Sequence, residues 1–418
     1  MDFIIEPERR TPVVADIDVL VCGGGFAGVC GAVGASRNGA KVLLLERYGF
    51  LGGLCTAGLV ITTPPLDNGL NFEIAGRLQK EGAYVPCLNS GEQVAGLNLH
   101  GIDPEILKYQ FIQMLQEAGV SFWFHTYIVD VIMEDRTIKG VVIQNKAGRQ
   151  AVRSKVVVDA TGDGDVAAFA GAPFELLKKP MTMMFNMAGV DIPKVLEKFI
   201  NWGGVREALK EGIARGEISF HLGLDPEFGS PGVYAEELVH DGELNIWSGN
   251  LLDMNGLDPE DLTRAEVITR DHAMKLANFL RRKVHGFEKA RIECTATQVG
   301  VRATRKIIGE ASPTLEGINH KAGKDVAAKP YATRPMRLPY GCLLPLNVEN
   351  LLMAGRCISA EEEAMGQLRL LPVCSSTGQA AGTAGALAIH QGIPPRYLNL
   401  SPLQKTLMKQ GMDLGISS

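Results

Sequence analysis

DVLVCGGGFAGVCGAVGASRNGAKVLLLER, residues 18–47, joins two apolar runs through three consecutive glycines and a helix of small residues. Residues 19–22 read as a short buried strand, 28–38 as a helix, and 41–46 as a second strand. That is the opening of a βαβ unit and of a parallel, doubly wound sheet. Gly23, Gly25 and Gly28 follow the spacing G-x-G-x-x-G. Gly23 permits the tight turn out of the strand, Gly25 lets a pyrophosphate approach the backbone, and Gly28 lets the helix pack on the sheet. The helix N-terminus offers unbonded N–H groups and a positive dipole to phosphate. Glu46 ends the second strand, where a carboxylate accepts hydrogen bonds from ribose hydroxyls. This pattern points to a dinucleotide without separating NAD from FAD, and glycine-rich helix starts also arise from packing alone.

Bulk properties limit the partners. The chain has 418 residues, a net charge of −5, 46% hydrophobic and 21% charged residues. Its Lys and Arg are scattered, which argues against nucleic acid and toward a small-molecule substrate. Residues 1–14 lack an apolar core and do not read as a signal peptide. No run of 18 or more apolar residues suggests a membrane span, and 378–389 is too short for one. None of the eight cysteines forms a C-x-x-C pair or a zinc spacing. Reduced, mostly buried thiols in a cytoplasmic protein are the expectation.

Further along, DPEILKYQFIQMLQEAG (103–119) is a helix with Asp103 as cap, Pro104 in the first turn and Gly119 at its end. Strands follow within 120–134, 138–146 and 154–162. The character changes over 180–288, where a strand (MTMMFNMAG), a helix at 201–215, a hairpin region at 232–250 and a long helix at 261–282 suggest a second domain. A strand (ENLLMAGRCIS) and a helix over 371–391 return to the first.

Three segments bear on the cofactor. Gly52-Gly53 follows the acidic strand end and lets the chain lie along an extended dinucleotide, with the Thr56 hydroxyl nearby. NAD-binding domains do not usually need this second glycine pair. A strand runs into Thr161-Gly162 and then Asp163 and Asp165, which lack the further oxygen ligands of a calcium loop, so no metal is expected. Gly355-Arg356 ends another strand, before a helix whose first turns of Ser, Thr, Gly and Ala suit close approach to a flavin.

In this order and spacing, GGGFAG…LLLERYGFLGGLCTAGL, VVVDATGDGDVAAFAGAPFE, GVRATRKIIGE, LLPLNVENLLMAGRCIS and GQAAGTAGALA resemble the FAD-dependent oxidoreductases. These belong to the two-dinucleotide-fold flavoproteins typified by glutathione reductase relatives and the fumarate reductase flavoprotein. The resemblance spans about residues 12–391. It implies an α/β fold, with a Rossmann-like FAD-binding domain and an interleaved α+β substrate domain. The expected division is 12–62, 103–178 and 290–400 for FAD, 63–102 and 179–289 for the substrate or cap domain, and 1–11 and 401–418 as terminal extensions.

By the same resemblance, Gly23, Gly25 and Gly28 meet the pyrophosphate, Glu46 the ribose, and Arg47 and Ile128 the adenine side. Gly52, Gly53 and Thr56 run toward the flavin, Thr161 and Gly162 support the nucleotide half, and Gly355, Arg356 and Gly378 face ribityl and ring. Two departures stand out. Relatives often carry an acidic residue where Arg356 stands, and an Arg where Gly341 follows Tyr340.

For chemistry, Arg302 and Arg305 could clamp a carboxylate or stabilise reduced flavin, or form an ordinary ion-paired surface. Arg369 precedes the last helix. Cys55 could be a redox partner, an attachment point or a packing residue. Tyr340, His100 and His320 are candidate proton carriers. His272 lies on an apolar stripe and reads as a core histidine, while 361–363 reads as a solvated acidic face. The expectation is a cytoplasmic FAD enzyme transferring hydride to or from a small organic substrate, with an unknown electron partner and with homo-oligomers left open. An electron-transferring subunit and an NAD-dependent dehydrogenase are the rivals.

Overall fold

The computed structural model describes residues 4, 7–87, 93–94, 97–198, 203–218, 233, 235–320 and 323–416. Strand β1 (Val13–Cys22) leads through the glycine turn into helix α1 (Phe26–Ser36), and β2 (Val42–Leu45) pairs parallel to β1. β1 starts earlier than its apolar run because its exposed first half pairs with residues 151–154. Helix α2 (Pro104–Glu117) opens as its sequence predicts: Asp103 Oδ1 accepts from the N–H groups of Glu105 at 2.8 Å and Ile106 at 3.2 Å. Strand β3 (Ser121–Trp123) then parallels β2. An antiparallel meander of β4 (Tyr127–Glu134), β5 (Thr137–Asn145) and β6 (Gly148–Asp159) brings the chain back beside β1.

The chain next builds a separate antiparallel sheet. Its strands are β7 (Met184–Ala188), β8 (Ala235–Glu237), β9 (Leu244–Trp247) and, after helix α3 (Pro259–Lys283), β10 (Arg291–Thr295). Their order is β8-β9-β7-β10. The expected helix at 201–215 spans Gly203–Ala214, and residues 201–202 lie outside the described residues. The stripe Ala265, Thr269, His272, Ala273, Leu276 and Leu280 is the buried face of α3, so His272 is a core histidine. With Met183, Phe185, Met187 and Leu244, this face forms a hydrophobic cluster of its own.

Strand β11 (Leu351–Met353) then pairs parallel to the end of β6, giving the order β3-β2-β1-β6-β5-β4 with β11 beside β6. This is the α/β architecture expected. Helix α4 (Leu371–Gln391) lies against α1 so closely that backbone meets backbone. A Cβ on Gly378 would sit 2.0 Å from the Ala27 carbonyl oxygen, and one on Gly382 1.8 Å from that of Gly31. The larger cluster surrounds this contact. Residues 63–102, expected with the cap, place Leu66, Leu70, Ile74, Leu78, Tyr84 and Ile102 in it. Leu403, Leu407, Met412 and Leu414, from the expected terminal extension, join the same cluster.

Two helix glycines should therefore respond oppositely to alanine. Gly382→Ala forces α1 and α4 apart and costs about 1–3 kcal/mol. Gly76, within helix Leu70–Lys80, has nothing near its would-be Cβ, so Gly76→Ala stabilises by about 0.5–1 kcal/mol. Thermal unfolding midpoints falling for the first and rising for the second are the expected outcome.

Candidate functional site

The C-terminal ends of β1, β6 and β11 open into one cleft of about 1240 Å3, mouth included, which the smaller sheet covers from the other side. Its floor is the glycine turn. Gly23 adopts φ +105°, its N–H donates to the Leu45 carbonyl at 2.8 Å, and a Cβ there would strike the Ala160 carbonyl oxygen at 2.4 Å. Gly28 is held just as tightly, with a would-be Cβ 1.7 Å from the Gly23 oxygen. No described side chain caps α1 at Gly25, so its first N–H groups face the cleft as phosphate donors.

Gly52 and Gly53 have a reason beyond lining a dinucleotide. The Gly52 N–H donates to the Gly24 carbonyl at 2.9 Å, and a Cβ on Gly53 would lie 2.9 Å from the Gly25 Cα. Both have positive φ, +109° and +57°. The second glycine loop thus closes against the first, and only two chains without side chains can approach so far. Beside them, Glu46 is 6% exposed. Its Oε2 accepts from the Gly24 N–H at 2.6 Å and its Oε1 from the Tyr48 N–H at 2.8 Å. Burial raises its pKa, and the two N–H groups oppose that. Its remaining lone pairs can take ribose hydroxyls.

The third wall rests on Asp159, the single charge in the apolar end of β6. Its Oδ1 accepts from the Thr161 N–H at 3.0 Å and hydroxyl at 2.7 Å, and its Oδ2 from the Ala167 N–H at 2.9 Å. Complete burial pushes its pKa up to about 6, against those three donors. The adjoining acidic residues are engaged by arginines. Arg356 meets Asp163 twice at 3.1 Å, and Arg305 meets Asp165 at 2.7 Å. Burial works against the Arg356 charge, and Asp163 more than offsets it. The expected pair Arg302 and Arg305 is therefore divided: Arg305 holds the turn, and only Arg302 lines the cleft.

Of the residues expected at the site, Gly23, Gly25, Glu46, Arg47, Gly52, Gly53, Thr161, Gly162, Gly355, Arg356, Arg302 and Arg369 all line this cleft. The others stand apart from its lining. Gly28 and Gly378 serve backbone packing. The Thr56 hydroxyl donates to the Leu51 carbonyl at 2.7 Å, and Ile128 pairs with Ile143 in the meander. Cys55 is fully buried, and burial pushes its thiol pKa far up, which favours packing over redox chemistry. The Tyr340 hydroxyl donates to the Pro395 carbonyl at 3.0 Å in a buried turn. The structure adds residues that the sequence did not suggest. Gln298 accepts from Arg47 at 2.9 Å and from the Tyr48 hydroxyl, tying the smaller body to the rim of the larger. Thr63, Trp247 and Met184 also line the cleft. Asp159 alone carried a signal, a carboxylate inside an apolar strand.

Comparison with known proteins agrees with this donor set. The family described as FAD dependent oxidoreductase matches residues 18–332 and 316–407. The chain is 30% identical over 154 residues to digeranylgeranylglycerophospholipid reductase of Sulfolobus acidocaldarius, covering 35% of this chain and 34% of the relative. It is 31% identical over 168 residues to thiamine thiazole synthase of Methanococcus aeolicus, covering 36% and 57%. The chain spans only 34–48% of the length of three such phospholipid reductases. In fold it resembles a geranylgeranyl bacteriochlorophyll reductase-like protein of Thermoplasma acidophilum, with a TM-score of 0.54 at 14% identity, covering 95% of this chain and 84% of that one. The glycine cradle, the Glu46 carboxylate and the α1 N-terminus fit FAD, and the chain belongs to the FAD-dependent oxidoreductase family.

Proposed function

We propose that the protein transfers a hydride between N5 of bound FAD and a small organic molecule held beneath the smaller sheet. The observation that carries this reading is the continuity of the cleft. It runs from the phosphate cradle at Gly23–Gly25 to Thr182, Met184, Trp247 and Arg302 of the second body. Bound FAD supplies a two-electron donor and acceptor. The chain's own residues do the rest. The glycine turn and the α1 N-terminus bind the pyrophosphate, and Glu46 orients the ribose. Met184, Trp247 and Val301 exclude water from the reacting end. Arg302 and Arg369 orient the substrate there. The proposed division assigns 12–178 and 303–414 to cofactor binding and 179–302 to the substrate cap, since β10 and Val301 pack with the smaller sheet while 63–102 and the last helix pack with the larger cluster.

No described helix is long and apolar enough to cross a membrane. Eight free cysteines, all but Cys294 buried, support a cytoplasmic setting within this reading.

The purified protein should show a flavin spectrum that bleaches anaerobically with a small-molecule reductant. Bleaching only by a partner protein would instead favour an electron-transferring subunit. Glu46→Ala should weaken FAD binding about ten- to a hundredfold, as loss of charge-assisted hydrogen bonds implies. Fluorescence titration of the apoprotein measures this. Cys55→Ala should keep its FAD and its turnover, and native Cys55 should resist alkylation at pH 8. Loss of activity with FAD retained would restore the thiol to the chemistry.

A further inference from the structure

One side chain of the smaller body reaches across the cleft to the larger. Gln298 lies in the turn between β10 and the short strand Gly300–Val301. Arg47 and Tyr48 follow Glu46 directly, at the end of β2. All four residues line the cleft. Gln298 Oε1 accepts from Arg47 Nη2 at 2.9 Å and from the Tyr48 hydroxyl, so a single amide oxygen joins one wall to the other.

Each end of this bridge is held by its own body. On the larger, the Tyr48 ring stacks on Phe50, with centroids 5.2 Å apart and planes 4° from parallel. The Arg47 guanidinium lies 4.9 Å from the centre of the Tyr48 ring, and Lys108 of α2 lies 4.7 Å from that of Phe50. The Tyr48 N–H donates to Glu46 Oε1 at 2.8 Å, so the carboxylate of the cradle and the bridge share one short segment. On the smaller body, α3 fixes the turn. Glu266 Oε1 accepts from the Val299 N–H at 2.7 Å, and Arg270 donates to the Ala296 carbonyl at 3.3 Å. The Gln298 N–H donates to the Ala57 carbonyl at 3.1 Å. Both halves are thus positioned without help from the bridge, and little conformational freedom is lost when it forms.

Arg47 is exposed, and Tyr48 and Gln298 are half-buried. Hydrogen bonds so close to solvent contribute little each, so they can open and re-form. We propose that Gln298, Arg47 and Tyr48 form a clasp that gates the exchange of FAD. Closed, it bars the mouth of the cleft beside Glu46, and the cofactor enters and leaves when the amide lets go. The clasp is made with the cleft empty and stays made over bound FAD. It therefore raises the barrier in both directions and adds nothing to affinity. This inference rests on FAD occupying the cradle and is independent of hydride transfer.

The test measures two rates. Release is followed on the FAD-loaded protein by chasing with excess isotopically labelled FAD, and binding by stopped-flow quenching of flavin fluorescence on mixing with apoprotein. Native binding should be slow for a small ligand, as a step that waits on opening requires. Gln298→Ala should raise both rates about tenfold and leave their ratio within about twofold of native. Tyr48→Phe keeps the stack and loses one donor, so it should raise both rates less. The double variant should match Gln298→Ala within about twofold, because both changes remove the same bridge. Gln298→Glu keeps the acceptor and should exchange FAD no faster than native.

Unchanged rates in Gln298→Ala overturn the proposal. Faster release without faster binding also overturns it, because Gln298 then holds FAD directly. Acceleration by Gln298→Glu equal to that by Gln298→Ala overturns it as well, since the bridge would then be irrelevant to the effect. Should Gln298→Ala fail to fold, Tyr48→Phe and Gln298→Glu decide the matter on the same two rates.

Discussion

Close approach between backbones governs this molecule. Gly28 sits on the Gly23 carbonyl, Gly53 on the Gly25 Cα, Gly378 on Ala27 and Gly382 on Gly31. Each contact lies within the radius that a single methyl group would occupy. Together they draw β1, α1, the 52–53 loop and α4 into one block, and the phosphate cradle is the surface of that block. Preorganisation follows: the N–H groups at the start of α1 are held in place before any ligand arrives.

Charge is arranged around this block in two tiers. Carboxylates at 159, 163 and 165 are tied to backbone N–H groups, hydroxyls and arginines, so they shape the third wall from behind. Burying Asp159 is costly, as the rise in its pKa shows, but its three donors fix the turn at Thr161 that a neutral residue could not hold. On the cleft side the balance reverses and arginine predominates. The phosphates of FAD, when bound, would offset part of that excess at the cradle.

The parts of this arrangement legible in the sequence are those encoded locally. The βαβ opening, the Asp103 cap, the apolar stripe of α3 and the bounds of α4 all follow from periodicity and turn residues within a few positions. The helix Leu70–Lys80 was not legible, because its N-terminus carries Gly69 and no local cap. The Leu70 N–H instead donates at 3.0 Å to Gln379, from a distant part of the chain. Likewise Arg302 and Arg305 share a motif but part company in space, as Asp165 draws one into the turn and Asn250 holds the other on the cleft. Gly378 reads as a cofactor glycine only until its packing against Ala27 is seen. Spacing reports what a residue type can do, while long-range contacts determine which of those capacities is used.

The α1–α4 contact also has a consequence in time. Gly31 and Gly382 are separated by most of the chain, yet each needs the other to cover its bare backbone. A ribosome adding roughly 5–20 residues per second takes about 20–70 s to pass from one to the other. Over that interval the α1 sequence has no α4 to cover it, and the residues of the Leu70 helix, once made, lack the amide that caps them. The sheet can begin to form early through its local pairings, but the cradle acquires its rigidity last. Truncation within α4 would therefore leave the signature sequence intact and remove the helix that braces it.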